Sequence, residues 1–103
     1  VHILVADDSK INLHMACGVL AQLGHTSDMA ENGVQAVEMV RQKSFDGILM
    51  DCQMPEMDGF QATAAIRGME TARGTKPCLI IAITGDAEEA EKQRCINVGM
   101  NAV

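Results

Sequence analysis

Aromatic side chains are nearly missing from this sequence: it has no tryptophan or tyrosine, and only Phe45 and Phe60 carry a phenyl ring. Its core must then be filled by aliphatic side chains and by methionine, which occurs eight times and fits irregular gaps. Basic residues are scarce too, eight against fourteen acidic ones, for a net charge of −6. Phosphate backbones are held by clustered Lys and Arg, so no nucleic-acid surface is expected on this segment. There is no C-x-x-C pair, and Cys17, Cys52, Cys78 and Cys95 stand far apart. That spacing suits reduced thiols in a cytoplasmic setting better than a disulfide frame or a zinc site. The longest apolar run, 78–83, is far too short to span a bilayer, and no basic stretch leads into an apolar leader, so no membrane contact is expected. The absence of G-x-G-x-x-G after the first apolar run removes a dinucleotide-binding reading. At 103 residues the chain is one domain at most, and a start at Val1 directly in an apolar run reads as a segment of a longer polypeptide.

What is present alternates regularly. Residues 1–6 form a short apolar, β-branched run that stops at Asp7-Asp8, the pattern of a strand buried on both faces. A helix follows over 10–23, with Met15, Ala16, Val19, Leu20 and Leu23 on one stripe and Gly24 as its stop. Residues 25–30 make a weaker strand ended by Asn32-Gly33, and 34–43 a helix burying Ala36, Val37 and Val40. The third strand, 45–50, delivers Asp51 to its end. A loop with Pro55 and Gly59 leads to a helix from Phe60 that buries Ala62, Ala65, Ile66 and Met69, and 68–77 reads as a surface connection. The fourth strand, 78–83, ends at Thr84-Gly85, before a helix over 86–98 with a thin apolar face of Ala90, Cys95, Ile96 and Val98. Four βα units imply a doubly wound parallel α/β sheet with helices on both faces.

Three aspartates, Asp7, Asp8 and Asp51, then fall at the carboxyl end of the strands, the edge where open α/β sheets bind ligands. Like charges about 4 Å apart repel by roughly 4 kcal/mol at an effective dielectric near 20, so such a cluster needs a cation, a proton or a chemical use. Mg²⁺ is a fitting cation, held typically by one or two carboxylates plus a phosphate. With repulsion offset, one carboxylate can attack phosphorus to give an aspartyl phosphate. Thr84 ends the neighbouring strand and can offer a hydroxyl.

These residues resemble a response-regulator receiver domain, most like those attached to hybrid sensor histidine kinases. The resemblance rests on Asp7-Asp8, Asn12, Glu31-Asn32-Gly33, the segment Asp51-Cys52-Gln53-Met54-Pro55-Glu56-Met57-Asp58-Gly59, Thr84-Gly85 and Gly99-Met100-Asn101. It implies a flavodoxin-like receiver fold of strand order 2-1-3-4-5, here truncated in the fifth strand and lacking the fifth helix. It implies that Asp51 accepts the phosphoryl group, that Asp8 and Asp51 ligate Mg²⁺ directly, that Asp7 acts partly through water and that the Gln53 carbonyl completes the protein's share. Thr84 would hydrogen-bond the phosphoryl group and move inward with its loop. The donor would be a phosphohistidine on a histidine kinase or histidine phosphotransfer domain, with partner binding along the helix over 86–98 and the first helix. By register, the family's phosphoryl-contacting lysine falls beyond Val103 and its switch aromatic aligns with Val103. An uncovered fourth strand is expected to favour a dimer through that side.

Plainer readings stand beside these. Asp7 and Asp8 taken alone are a helix cap, Thr84 a strand-forming residue, Glu56 and Asp58 a solvated acidic loop, and Cys52 a packing residue. His14 reads as an exposed residue of the first helix, His2 and His25 show no partner, and Lys10 and Arg73 are surface charges. Two other functions compete: a pseudo-receiver that only binds partners, and an aspartate-nucleophile phosphatase, whose D-x-D after strand one and cap domain are absent.

Overall fold

The computed structural model describes residues 1–83 and 89–102. Its elements alternate without exception: β1 (His2–Ala6), α1 (Lys10–Gln22), β2 (Thr26–Ala30), α2 (Gly33–Gln42), β3 (Gly47–Asp51), α3 (Gly59–Arg73), β4 (Leu79–Ile83) and α4 (Glu89–Val98). All strand pairs are parallel, in the order β2-β1-β3-β4. A bridge between Ile81 and Ala102, with Asn101 and Ala102 bonded to the backbone of Ile80 and Ala82, lays 101–102 against the outer edge of β4. A fifth position in the sheet is thereby marked.

Side chains alternate across a strand, and the two faces are covered unequally. Leu4, Ala6, Ile48, Met50, Ile80 and Ala82 turn to one side, where Ala36 and Val37 of α2, Phe60, Ala62 and Ile66 of α3 and Cys95 of α4 close the core over them. The other set includes the buried Val5 but also Ile3, Leu49 and Ile81, which stay half-buried. That is the side of α1, whose buried residue is Leu13.

The apolar stripe expected on α1 is therefore misplaced. Ala16 and Leu20 are half-buried, but Met15, Val19 and Leu23 are exposed. The cause is compositional: Ile11, Leu13, Met15, Cys17 and Val19 put apolar groups around the whole helix, so spacing alone does not select a face. α3 also runs further than expected. It passes through Gly68 to Arg73 and stops at Gly74, whose φ of 67° gives the left-handed cap. Gly68 borders open space, so its only cost to the helix is propensity. α2 buries Ala36 and Val37 as expected, while on α4 the apolar face is thinner still, with Ala90 and Ile96 exposed and only Cys95 buried.

The β2 edge holds a contact that the sequence did not disclose. His2, expected to be partnerless, places Nε2 3.0 Å from Asp28 Oδ2 and Nδ1 2.7 Å from Thr26 Oγ1, and its ring stacks on Phe45. Lys43 Nζ also lies 3.0 Å from Asp28 Oδ2. Hydrogen bonds from His2 and then Lys43 hold the Asp28 carboxyl below its ordinary value.

Candidate functional site: the carboxyl edge of the sheet

Parallel pairing in register brings Ala6, Ala30 and Met50 level with one another. The next residues on β1 and β3 are Asp7 and Asp51, and both reach the same edge. Asp7 continues the ladder through its N–H to the Ala30 carbonyl at 3.0 Å and is buried. Its Oδ1 accepts from the Ser9 N–H at 2.9 Å, while Ser9 rather than Asp8 caps α1, accepting from the Asn12 N–H at 3.3 Å. Asp8 is exposed and Asp51 half-buried. One carboxylate oxygen from each of Asp7, Asp8 and Asp51 lies within 4.8 Å of the others.

Negative charge so concentrated is costly. Burial, partly relieved by the Gln53 N–H at 3.1 Å from Oδ1, and then the charges of Asp7 and Asp8, push the Asp51 carboxyl from 3.8 up to about 6. No cation pairs with any of these three carboxylates among the described residues. A small hard cation fits such a donor set, since it takes oxygen ligands and replaces the missing counter-charge.

The loop after Asp51 is shaped by two glycines. Gly59 N–H donates to the Cys52 carbonyl at 3.1 Å, and Gly33 N–H donates to the Met57 carbonyl at 3.0 Å. A Cβ on Gly59 would lie 2.2 Å from the Asp51 carbonyl oxygen, and one on Gly33 2.2 Å from that of Met57. Between them the Met57 N–H reaches the Pro55 carbonyl at 2.7 Å around Glu56, whose φ is 66°, a tight and strained γ-turn. Asp58, read as a solvated acid, instead closes a capping box with Gln61 at the start of α3. Gly59→Ala is therefore expected to destabilise the chain by about 2–3 kcal/mol and to displace Asp51. Urea unfolding checks the first effect and Mg²⁺ titration the second.

Sequence reasoning gathered Asp7, Asp8 and Asp51 correctly, and the Gln53 backbone leaves the same strand end. Thr84 lies outside the described residues, directly after Ile83, which is level with Asp51. Gly33 and Glu56 were missed as loop-shaping residues, although Asn-Gly ahead of a helix was a usable signal. Cys52 is the buried packing residue expected, its Sγ 3.6 Å from that of Cys95. Burial first, then Cys95, pushes its thiol up to about 12, so it is a poor nucleophile.

Comparison with known proteins extends this geometry. The family model described as "Response regulator receiver domain" matches residues 3–103. Hybrid signal transduction histidine kinase B of Dictyostelium discoideum is 42% identical over 107 residues, covering 96% of this chain and 5% of its own length. The chain thus spans a small part of the curated relatives it matches. The receiver domain of the histidine kinase CKI1 from Arabidopsis thaliana, solved with Mg²⁺ and BeF3⁻, is 36% identical with a TM-score of 0.85 over 96% of this chain and 76% of that one. The structure of the Saccharomyces cerevisiae histidine phosphotransfer protein Ypd1 with the receiver domain of Ssk1 gives a TM-score of 0.94 at 26% identity, over 99% of this chain and 75% of that one.

Proposed function

Because the chain belongs to the response regulator receiver domain family, we propose that Asp51 takes up a phosphoryl group, with Mg²⁺ held directly by Asp8 and Asp51, through water by Asp7, and by the backbone carbonyl of Gln53. A receiver domain is a phosphoaccepting module of two-component signal transduction rather than a turnover enzyme. The observation that carries the assignment is the gathering of three carboxylates with oxygens within 4.8 Å, of which Asp51 stands at the end of the central strand β3 and is raised to about 6. When bound, the metal supplies positive charge that offsets the carboxylates and the phosphoryl oxygens.

The chain's own residues do the rest. Asp7, fixed by the Ser9 N–H, and Asp51, fixed by the Gln53 N–H, present their carboxylates at the edge in set orientations, and such positioning is the main requirement of phosphoryl transfer. A carboxylate oxygen of Asp51 forms the new bond to phosphorus as the bond from phosphorus to the donor imidazole breaks. The donor is a phosphohistidine of a histidine kinase or histidine phosphotransfer domain, docking beside the exposed Ile11, Met15 and Val19 of α1. The Thr84 hydroxyl donates a hydrogen bond to a phosphoryl oxygen, and the output face lies along α4. The setting is a single receiver domain over 1–103 of a hybrid histidine kinase, on its cytoplasmic side; among the described residues no helix is long and apolar enough to cross a membrane. Self-association through the β4 side, where Leu79 and Ile83 are exposed, is a companion proposal that a monomeric mass in sedimentation would remove.

Incubation of the protein in its natural length with a small phosphodonor and Mg²⁺ tests the assignment by intact mass. One phosphoryl group per chain is expected on the parent and none on Asp51→Asn. Equal labelling of both removes Asp51 from the role, and labelling of neither leaves the pure interaction domain as the better reading.

A further inference from the structure

At the end of the sheet remote from the aspartates, where β3 and β4 begin, the last turns of α2 and α3 and the segments after them enclose a half-open cleft of about 240 Å³. Its floor is apolar, made of Val40, Phe45, Met69 and Cys78, each packed partly buried against the core. Its rim is cationic. Arg41, Lys43, Arg73 and Lys76 line it, half of the eight basic residues in a chain of net charge −6.

The wall offers little to balance that charge. Among the described residues Glu70 is its one acid, and both carboxylate oxygens are already taken, Oε1 by Arg67 Nη1 at 2.8 Å and Oε2 by the Cys78 N–H at 2.7 Å. Arg41 is drawn outward to Glu38 at 3.5 Å and Lys43 to Asp28 at 3.0 Å. Helix C-termini favour cations, and Arg73 Nη2 does donate to the Arg41 carbonyl at 3.1 Å. That bond fixes the guanidinium at the rim without neutralising it. Among the described residues neither Arg73 nor Lys76 enters an ion pair.

We propose that this cleft binds a small organophosphate, with the phosphate set between Arg73 and Lys76 and a short apolar body against Phe45 and Met69. The guanidinium fork matches phosphate oxygens in pairs and the ammonium adds a point charge. The volume is below the roughly 300–1,000 Å³ of sites for drug-sized ligands, which restricts the occupant to a small molecule. The site shares no residue with the aspartate edge and stands independently of the reading of Asp51.

Phenylphosphonate is the probe, because its carbon–phosphorus bond prevents transfer to Asp51. Amide shifts of the parent are followed by NMR in EDTA. Saturable shifts within 40–45 and 69–78, with a Kd of about 1 mM or tighter, are expected. Arg73→Glu/Lys76→Glu weakens binding at least tenfold (about 1.4 kcal/mol or more) while Asp51 labelling is unchanged. Lys92→Glu, a single charge reversal on α4, leaves binding unaltered, and methylphosphonate, lacking the ring, binds several-fold more weakly. Non-saturating shifts, binding that survives Arg73→Glu/Lys76→Glu, or equal affinity for methylphosphonate would each overturn the proposal.

Discussion

Asp51→Asn is expected to melt at a higher temperature than the parent at neutral pH in EDTA, and to lose most of the further rise that Mg²⁺ gives the parent. A carboxyl pushed from 3.8 up to about 6 costs the folded state up to roughly 3 kcal/mol once ionised. Water reaching a half-buried group screens this to about 1–2 kcal/mol, which at ~4–8 °C per kcal/mol is readily seen in a melting curve. Removing the charge removes the cost. It also removes a ligand, so the stabilisation that a bound cation adds by mass action falls away. A variant less stable than the parent in EDTA would show that the Asp51 charge is not a burden on the fold.

The pH dependence separates this group from the others. Between about 4 and 6 the folded parent keeps a proton on Asp51 that the unfolded chain has released, so the Asp51 contribution falls as pH rises through that window and stays lost above it. Asp28 and Glu70 act in the opposite sense, because both are lowered in the fold. Their contributions are present above the ordinary carboxylate values of 3.8 and 4.5 and are lost on acidification. The difference between parent and Asp51→Asn, taken in EDTA from pH 4 to 7, isolates the Asp51 slope. A flat difference would contradict the raised value.

The acidic edge could be read from the chain because it depends on only two regularities: strands that alternate with helices run parallel, and a polar residue straight after a buried strand lands at the carboxyl edge. Asp7 and Asp51 satisfy both. The face of α1 could not be read in this way, since spacing discriminates only when the other side of a helix is polar, and Ile11, Met15 and Val19 are not. Gly68 and the charges around it suggested a loop, yet α3 continues because Arg67 and Glu70, polar in sequence, are used inside the fold. Glu56 at positive φ was equally hidden, for a strained non-glycine residue has no sequence signature. His2 looks partnerless in the chain because its partners, Asp28 on β2 and Phe45 just ahead of β3, are distant in sequence.

Arg67→Ala is the substitution expected to cost the fold most, and nothing in the chain announces it. Its Nε donates to the Gly99 carbonyl at 2.9 Å, Nη1 to Glu70 Oε1 at 2.8 Å and the Cys78 carbonyl at 2.9 Å, and Nη2 to Asn101 Oδ1 at 2.8 Å. Asn101 in turn takes the Ile80 N–H on Oδ1 at 2.8 Å and donates its own N–H to the Ile80 carbonyl at 2.7 Å. One guanidinium thus joins α3, the entry to β4, the end of α4 and the segment alongside the sheet edge. Gly99, with φ of 110°, permits the approach, since a Cβ there would stand 3.0 Å from Arg67 Cγ. Burial alone would raise the Glu70 carboxyl, but Arg67 and the Cys78 N–H bring it below its ordinary value. Arg67→Ala leaves that carboxylate buried without its counter-charge and is expected to cost about 3–5 kcal/mol, a large share of the ~5–15 kcal/mol that holds a domain together. Arg67→Lys recovers less than half, because a point charge cannot serve four acceptors fixed in the plane of a fork. Adding Glu70→Gln to Arg67→Ala costs less than the two single losses summed, since the second change removes the stranded charge created by the first. Urea unfolding of the four variants at neutral pH measures all of this. A loss below ~1 kcal/mol for Arg67→Ala would mean that the four contacts are surface decoration rather than the clasp at this end of the sheet.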